Sequence, residues 1–458
     1  MRHTTLAAAA LSLAILAGCG GGSPSAGDQS PKVKFSAQVS FGDSLSDVGT
    51  YAVGGIKAAG GGHYTINGNN TGVNETLTGK NWTELTATQF GLPAPCAAQT
   101  GLDGNAALGF SVPVANHAGC YGYAQGGSRV SDPVGLANKL TGSPLGQLTV
   151  PVAQQIKNHL AAVGGKFKGD EIVLVMAGAN DLFIQLALLS SDATAEGTKA
   201  GATAFGTTLA GLLAAGASNP AVAAQAIGLA LATESARPGH TDASVVGAAV
   251  AAAAVQPGNA AVAAPAVYGP LVAKAQAAAT AAGAKAGADY AAANGARAVK
   301  AMGVAAAELA NLVKNQIVGN GARYVVVNNM PDVATTPFGM GKSADVQALI
   351  NAMVKTFNEQ LAAGIANDAN VLQVDVFAAS HDQATNPGPY GLSNVTTPAC
   401  DLTPSKNALG SSLICNAGNL VAGDVSHYSF ADELHPTPFV NLLLARYVSK
   451  YMVAKGWL

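Results

Sequence analysis

The sequence predicts an α/β protein, a three-layer α/β/α sandwich with a central, mainly parallel sheet and a large alanine-rich helical insertion. Three observations lead there. Residues 171–177 and 322–329 are nearly continuous apolar runs, the pattern of strands covered on both faces. A helical period separates such runs, clearest where Val346, Leu349, Ile350, Met353, Phe357, Leu361 and Ile365 recur mostly at three- and four-residue steps behind a capping Ser343. Residues 186–304 shift sharply to Ala and Gly, and Ala has the best helix propensity. Right-handed crossovers would then keep successive strand ends on one rim of the sheet.

At the start of the chain, Met1, Arg2 and His3 are followed by an apolar run over residues 6–17. The run is shorter than the roughly 20 residues that span a bilayer, so residues 1–18 read as a secretory signal. Leu16-Ala17-Gly18-Cys19 resembles a bacterial lipobox, which implies cleavage before Cys19 and lipid on its sulfur. A plain signal peptide with a free cysteine is the alternative. Residues 19–32, rich in Gly, Ser and Pro, read as the lipidated cysteine and a flexible tether. The expected location is therefore exported and lipid-anchored, at a bacterial outer membrane or cell surface, with a periplasmic or secreted form as the alternative.

Charged residues make up 11% of the chain and the formal net charge is -2, which offers no electrostatic footprint for a nucleic acid. Four cysteines besides Cys19 suggest two disulfides in an exported chain. Of three possible pairings, sequence order favours Cys96 with Cys120 and Cys400 with Cys415, each closing a local loop. A structural metal site is the alternative, although the spacings are wide for a compact zinc motif.

Residues 33–185 read as the first part of the α/β domain. Val33, Phe35, Ala37 and Val39 alternate as on a strand, and Ser44 follows in a short turn at its end. Residues 49–79, full of Gly, Asn and Thr, read as a surface loop that shapes one wall of a cleft. Residues 81–90 and 147–163 are expected to be helical. Between them, Gly126 and Gly127 form a turn in which a backbone amide can point outward. The run over 171–177 ends in Gly178-Ala179-Asn180-Asp181, at the rim where α/β proteins bind ligands. Asn180 there can donate to an oxyanion, or cap the next helix.

The insertion, residues 186–304, is expected to hold helices near 198–215, 221–235, 242–255, 271–290 and 296–318, the last running on into the second part of the α/β domain. A disordered segment is the competing reading, because Ala and Gly bury little area. That second part spans 305–458, with strands over 322–329 and 370–377 and a Pro/Asn-rich loop carrying Cys400 and Cys415. Phe430-Ala431-Asp432-Glu433-Leu434-His435 precedes a terminal helix whose expected inward face is Val440, Leu443, Leu444, Tyr447, Val448 and Tyr451. His435 at this place can accept a serine proton, and Asp432, three residues back, can hold its other nitrogen. His381 and His427 have weaker claims.

Taken together, these motifs resemble those of the SGNH-hydrolase superfamily, specifically its GDSL lipases and esterases. Gly42-Asp43-Ser44-Leu45 matches the nucleophile block, Ala124-Gln125-Gly126-Gly127 the second, Gly178-Ala179-Asn180-Asp181 the third and Asp432-Glu433-Leu434-His435 the last. No Gly-x-Ser-x-Gly elbow of the α/β-hydrolase type is present. The resemblance implies Ser44 as nucleophile, His435 as base and Asp432 as its orienting acid. It also implies an oxyanion hole of the Ser44 and Gly127 backbone N–H groups with the Asn180 side chain, the neighbouring Gly126 leaving a one-residue ambiguity.

The implied activity is a serine carboxylic ester hydrolase of lipase, arylesterase or phospholipase type, acting through an acyl-enzyme on a small-molecule or lipid ester. The chemistry calls for no cofactor and no metal. Alternatives are a carbohydrate O-acetyl esterase, an acyltransferase with the same site, and a catalytically silent surface-binding lipoprotein.

Overall fold

The computed structural model describes residues 33–68, 77 and 79–458. The expectations for residues 1–32, including the signal segment, lipidation of Cys19 and the tether, lie outside the described residues.

A four-stranded, all-parallel sheet forms the middle layer. Its strands are β1 (Gln38–Gly42), β2 (Ile172–Met176), β3 (Tyr324–Asn328) and β4 (Val371–Val374), lying side by side in that order. β1 lies further along the chain than the alternation over 33–39 suggests, because pairing with β2 starts at Gln38 opposite Ile172. Every residue of β2 is buried, as its unbroken apolar run requires. Tyr121 and Tyr123 bond the outer edge of β1 on either side of Ser40, which carries the following glycines to the end of that strand.

Helices cover both faces. On one lie α1 (Trp82–Gln89) and α9 (Pro438–Lys455), packed on Leu174, Val326 and Val374. On the other lie α2 (Val152–Ala162), the ends of two long helices and α7 (Ala344–Ile365), packed on Val173, Val175, Val325 and Val327. Asn81 starts α1 through a capping box with Glu84, and Ser343 accepts from Val346 N–H at the start of α7.

Two local expectations change. Val376 does not end β4 but opens a helix, α8 (Val376–Thr385), because Asp375 accepts from the Ala378 N–H and caps it. In α9 the fully buried face is Asn441, Ala445, Val448, Ser449 and Met452; Leu444, Tyr447 and Tyr451 pack against the same core as expected, and Val440, Leu444 and Tyr447 also line a cavity.

The insertion is built of helices joined by short turns. α3 (Ala179–Ala214) and α6 (Pro265–Asn311) run continuously through the breaks expected near 186–198 and 290–296. At 1.5 Å per residue they are about 54 and 70 Å long. They stay together because glycines face each other: a Cβ on Gly197 would stand 2.8 Å from the carbonyl oxygen of Gly283, and the reverse holds at the same distance. The intervening α4 (Pro220–Ser235) and α5 (Asp242–Ala254) pack with them around Leu209, Leu213, Ile227, Leu231 and Val250, a core separate from that of the sheet. Ala298, Met302, Ala306 and Leu309, on the last turns of α6, belong to the sheet's own core.

Candidate active site

Gly42 closes β1 in a conformation that glycine tolerates, with φ 151°, and a Cβ there would meet the Met176 carbonyl oxygen at 2.1 Å. The chain can therefore turn sharply over the end of β2. Asp43 caps the resulting turn by accepting from the Leu45 N–H at 3.1 Å. Ser44 stands at the top of it, and its Oγ lies 2.8 Å from His435 Nε2.

His435 is held from behind by Asp432, whose two oxygens lie 2.9 and 2.8 Å from Nδ1. The carboxylate also accepts from the N–H groups of Leu434, His435 and Ser412. Burial pulls the Asp432 carboxyl upward, but His435 and these bonds outweigh it and leave the group well below the ordinary carboxylate range. An ionised Asp432 only accepts, so Nδ1 carries the imidazole proton and Nε2 is free to accept from Ser44. On His435 itself burial acts to lower the pKa; Asp432 foremost, with Asp43 behind it, overturns this and raises it above the ordinary imidazole value.

The two glycines after Gln125 are distinct. The Gly126 N–H donates to Asp47 Oδ2 at 2.9 Å. The N–H groups of Gly127 and Ser44 have no acceptor among the described residues. Gly127 has φ 79°, and a Cβ there would lie 2.3 Å from the Leu136 carbonyl oxygen, so the position requires glycine. Asn180 is in the first turn of α3 and borders the same cavity; its Nδ2 donates one proton to the Ser128 carbonyl and keeps the other. Neither Asn180 nor Asp181 caps α3, whose N-cap is Gly178. Asp181 instead accepts from Arg129 Nε and the Val130 N–H, tying the glycine loop to the helix.

Ser44, Gly127, Asn180 and His435 border one cavity of about 500 Å³. Its walls are mainly apolar, with Leu136, Leu145, Phe183, Val376, Leu409 and Leu444 among them, and among the described residues no Lys or Arg lines it. A larger groove, about 1800 Å³, runs along the distal part of the insertion and shares no lining residue with this cavity. The smaller cavity is the candidate site because it holds the reactive groups. Phe183 is the last residue of α3 to border it, so the insertion does not roof the site.

Both expected disulfides are formed, Cys96 with Cys120 and Cys400 with Cys415. The second pins the segment that supplies the Ser412 N–H to Asp432. Among the described residues no group of three or more His, Cys, Asp or Glu is placed to hold a metal, and no helix is long and apolar enough to cross a membrane. His381 pairs with Asp332 at 2.8 Å, and His427 packs on Phe439; neither reaches Ser44.

Sequence reasoning missed several residues that build the site. Asp47 lies within the serine motif, yet only the fold shows it bonding the glycine loop. Gln155 holds Gly42 by two hydrogen bonds. Tyr64 lies in the loop read as a cleft wall, with its ring centroid 4.8 Å from that of His435. The available signal was two tyrosines, Tyr51 and Tyr64, in a Gly/Asn-rich loop.

Comparison with known proteins gives two findings. A family model described as GDSL-like lipase/acylhydrolase matches residues 196–448, which include Asp432 and His435. The chain is also similar to two GDSL esterases/lipases of Arabidopsis thaliana, 28% identical over 137 residues and 25% identical over 141. These matches cover 28% and 29% of this chain and span 36% and 38% of the length of those relatives.

Proposed function

We propose, for a chain that belongs to the GDSL-like lipase/acylhydrolase family, that it hydrolyses neutral carboxylic esters with an apolar acyl group through an acyl-enzyme on Ser44. The observation that carries this is the unbroken hydrogen-bond chain from Ser44 through His435 to Asp432 at the wall of an apolar cavity.

In the first stage Ser44 Oγ attacks the ester carbon while its proton passes to His435 Nε2. The carbonyl π electrons move to oxygen, which takes hydrogen bonds from Ser44 N–H, Gly127 N–H and the second Asn180 N–H. Asp432 stabilises the imidazolium without taking its proton. The intermediate then collapses, the bond to the alcohol oxygen breaks, and Nε2 returns the proton to that oxygen. In the second stage His435 takes a proton from water, hydroxide adds to the acyl carbon, and Ser44 leaves with the proton returned.

The lack of Lys and Arg among the described residues of the cavity wall supports a substrate without an anionic headgroup at the reacting bond, and the apolar lining supports an acyl chain over an acetylated sugar. The two disulfides support an oxidising compartment, consistent with export and anchoring at Cys19. A fluorophosphonate probe tests the assignment. It should label the protein at Ser44, and Ser44→Ala should lose both labelling and turnover of p-nitrophenyl esters while staying folded. Retained turnover rejects the proposal.

A further inference from the structure

We propose that Tyr64 is a positioning residue for His435, its ring holding the imidazole in line with Ser44 and favouring the imidazolium that each proton transfer creates. This rests on the reading of His435 as the base.

The two ring centroids are 4.8 Å apart with planes at 38°, inside the roughly 6 Å over which an aromatic face attracts a cation. Tyr64 is buried and borders the cavity, so the attraction is little weakened by water. Its position is built from several sides. Thr65 Oγ1 donates to the Pro436 carbonyl at 2.8 Å, tying the residue after Tyr64 to the residue after His435. Gln147 Nε2 donates to the Tyr64 hydroxyl, and Tyr51 backs the ring edge-on at 6.4 Å. A Cβ on Gly126 would lie 2.0 Å from that hydroxyl, so glycine there makes room for the ring.

The neighbours leave Tyr64 a distinct task. His435 is faced by Asp432, by Ser44 and, across the turn at the end of β1, by Asp43; Tyr64 is faced by Tyr51, Asp47 and Asp432. The carboxylates act on His435 in all directions their charge reaches. The Tyr64 face acts on one side of the ring and excludes water there. A neutral imidazole gains little from it, and the imidazolium gains more, so its benefit falls mainly on the charged state formed during proton transfer.

The test is the pH profile of kcat/KM on p-nitrophenyl butyrate for the wild type, Tyr64→Phe, Tyr64→Leu and a chain carrying pentafluorophenylalanine in place of Tyr64. Tyr64→Phe should keep the wild-type acid limb. Tyr64→Leu and the fluorinated ring should move it down by about 0.5 pH unit or more, with kcat lowered and KM unchanged. The fluorinated chain keeps the shape of the ring and reverses its charge distribution, so it decides the matter if Tyr64→Leu fails to fold. An acid limb that stays at the wild-type position in the fluorinated chain overturns the proposal. His435→Ala separates the two readings: if it retains turnover the base assignment fails, whereas an unmoved limb in a chain that needs His435 removes only the role of Tyr64.

Discussion

The Ser412 N–H donates to Asp432 Oδ2 at 2.7 Å, joining the loop closed by Cys400 and Cys415 to the acid behind His435. A disulfide three residues further on therefore bears on the catalytic geometry. Replacing both cysteines by Ala should lower stability by about 3 kcal/mol, as expected for a loop of this size. It should also lower kcat well below wild type at a temperature where both proteins remain folded. Chemical denaturation and p-nitrophenyl ester kinetics check the two effects; unchanged kcat would mean that Ser412 holds its place without the bridge.

The raised pKa of His435 fixes the sign of the pH dependence. The imidazole accepts from Ser44 only when neutral, so activity is lost as pH falls through its pKa. The acid limb of kcat/KM should therefore have its midpoint above the ordinary imidazole value of about 6.5. Asp432→Asn removes the charge that raises it and the acceptor that sets the tautomer. Its kcat should fall by about 10⁴, and its residual acid limb should move down.

Asn180→Ala should lower kcat by about 10²–10³ with little change in KM, since its free N–H meets charge that develops only during reaction. Steady-state kinetics on one short-chain ester suffices. A loss confined to KM would assign Asn180 to substrate binding.

Two buried groups should give opposite stability slopes with pH. Asp43, whose Oδ2 has no partner among the described residues, has its carboxyl pushed up to about 7 by burial. Its folded state binds the proton more tightly than the unfolded chain, so its contribution is present below about pH 3.8 and is lost as pH rises to about 7. Among the described residues His159 has no partner for either ring nitrogen and sits among Phe41, Tyr121, Tyr123 and Phe167; burial lowers it to about 4. Its contribution is present above about pH 6.5 and is lost as pH falls to about 4. Asp43→Asn should raise the melting temperature more at pH 8 than at pH 5, and His159→Leu should raise it more at pH 5 than at pH 8.

Excising residues 194–286 and joining Ala193 to Gly287 by a short turn should leave turnover of small esters unchanged. Those two positions already adjoin, the Ala193 carbonyl oxygen lying 3.0 Å from where a Gly287 Cβ would be. A large loss of kcat would show that the insertion acts on the site from outside the cavity.

The strands, the amphipathic α7 and the four motif blocks were legible because each leaves a local trace: an unbroken apolar run, a 3.6-residue period, a glycine pair, an Asp three residues before a His. Other features depend on contacts distant in sequence. Gly197 and Gly283 look like helix breakers until they are seen to face each other. Leu444 and Tyr447 pack on the core as their period suggests, yet with Val440 they also border the cavity at the sheet's rim, which the period does not announce. Asp47 and Gly126 are 79 residues apart, and nothing near either announces their bond.

The hydrogen bond between Ser44 and His435 spans 391 residues. At about 5–20 residues per second of synthesis, the serine waits about 20–80 s for its imidazole. Over that interval the nascent chain presents an ordinary alcohol that attacks nothing, while the long helices, built from neighbouring residues, have time to form. The order of translation thus leaves Ser44 without its base until the last part of the site has emerged.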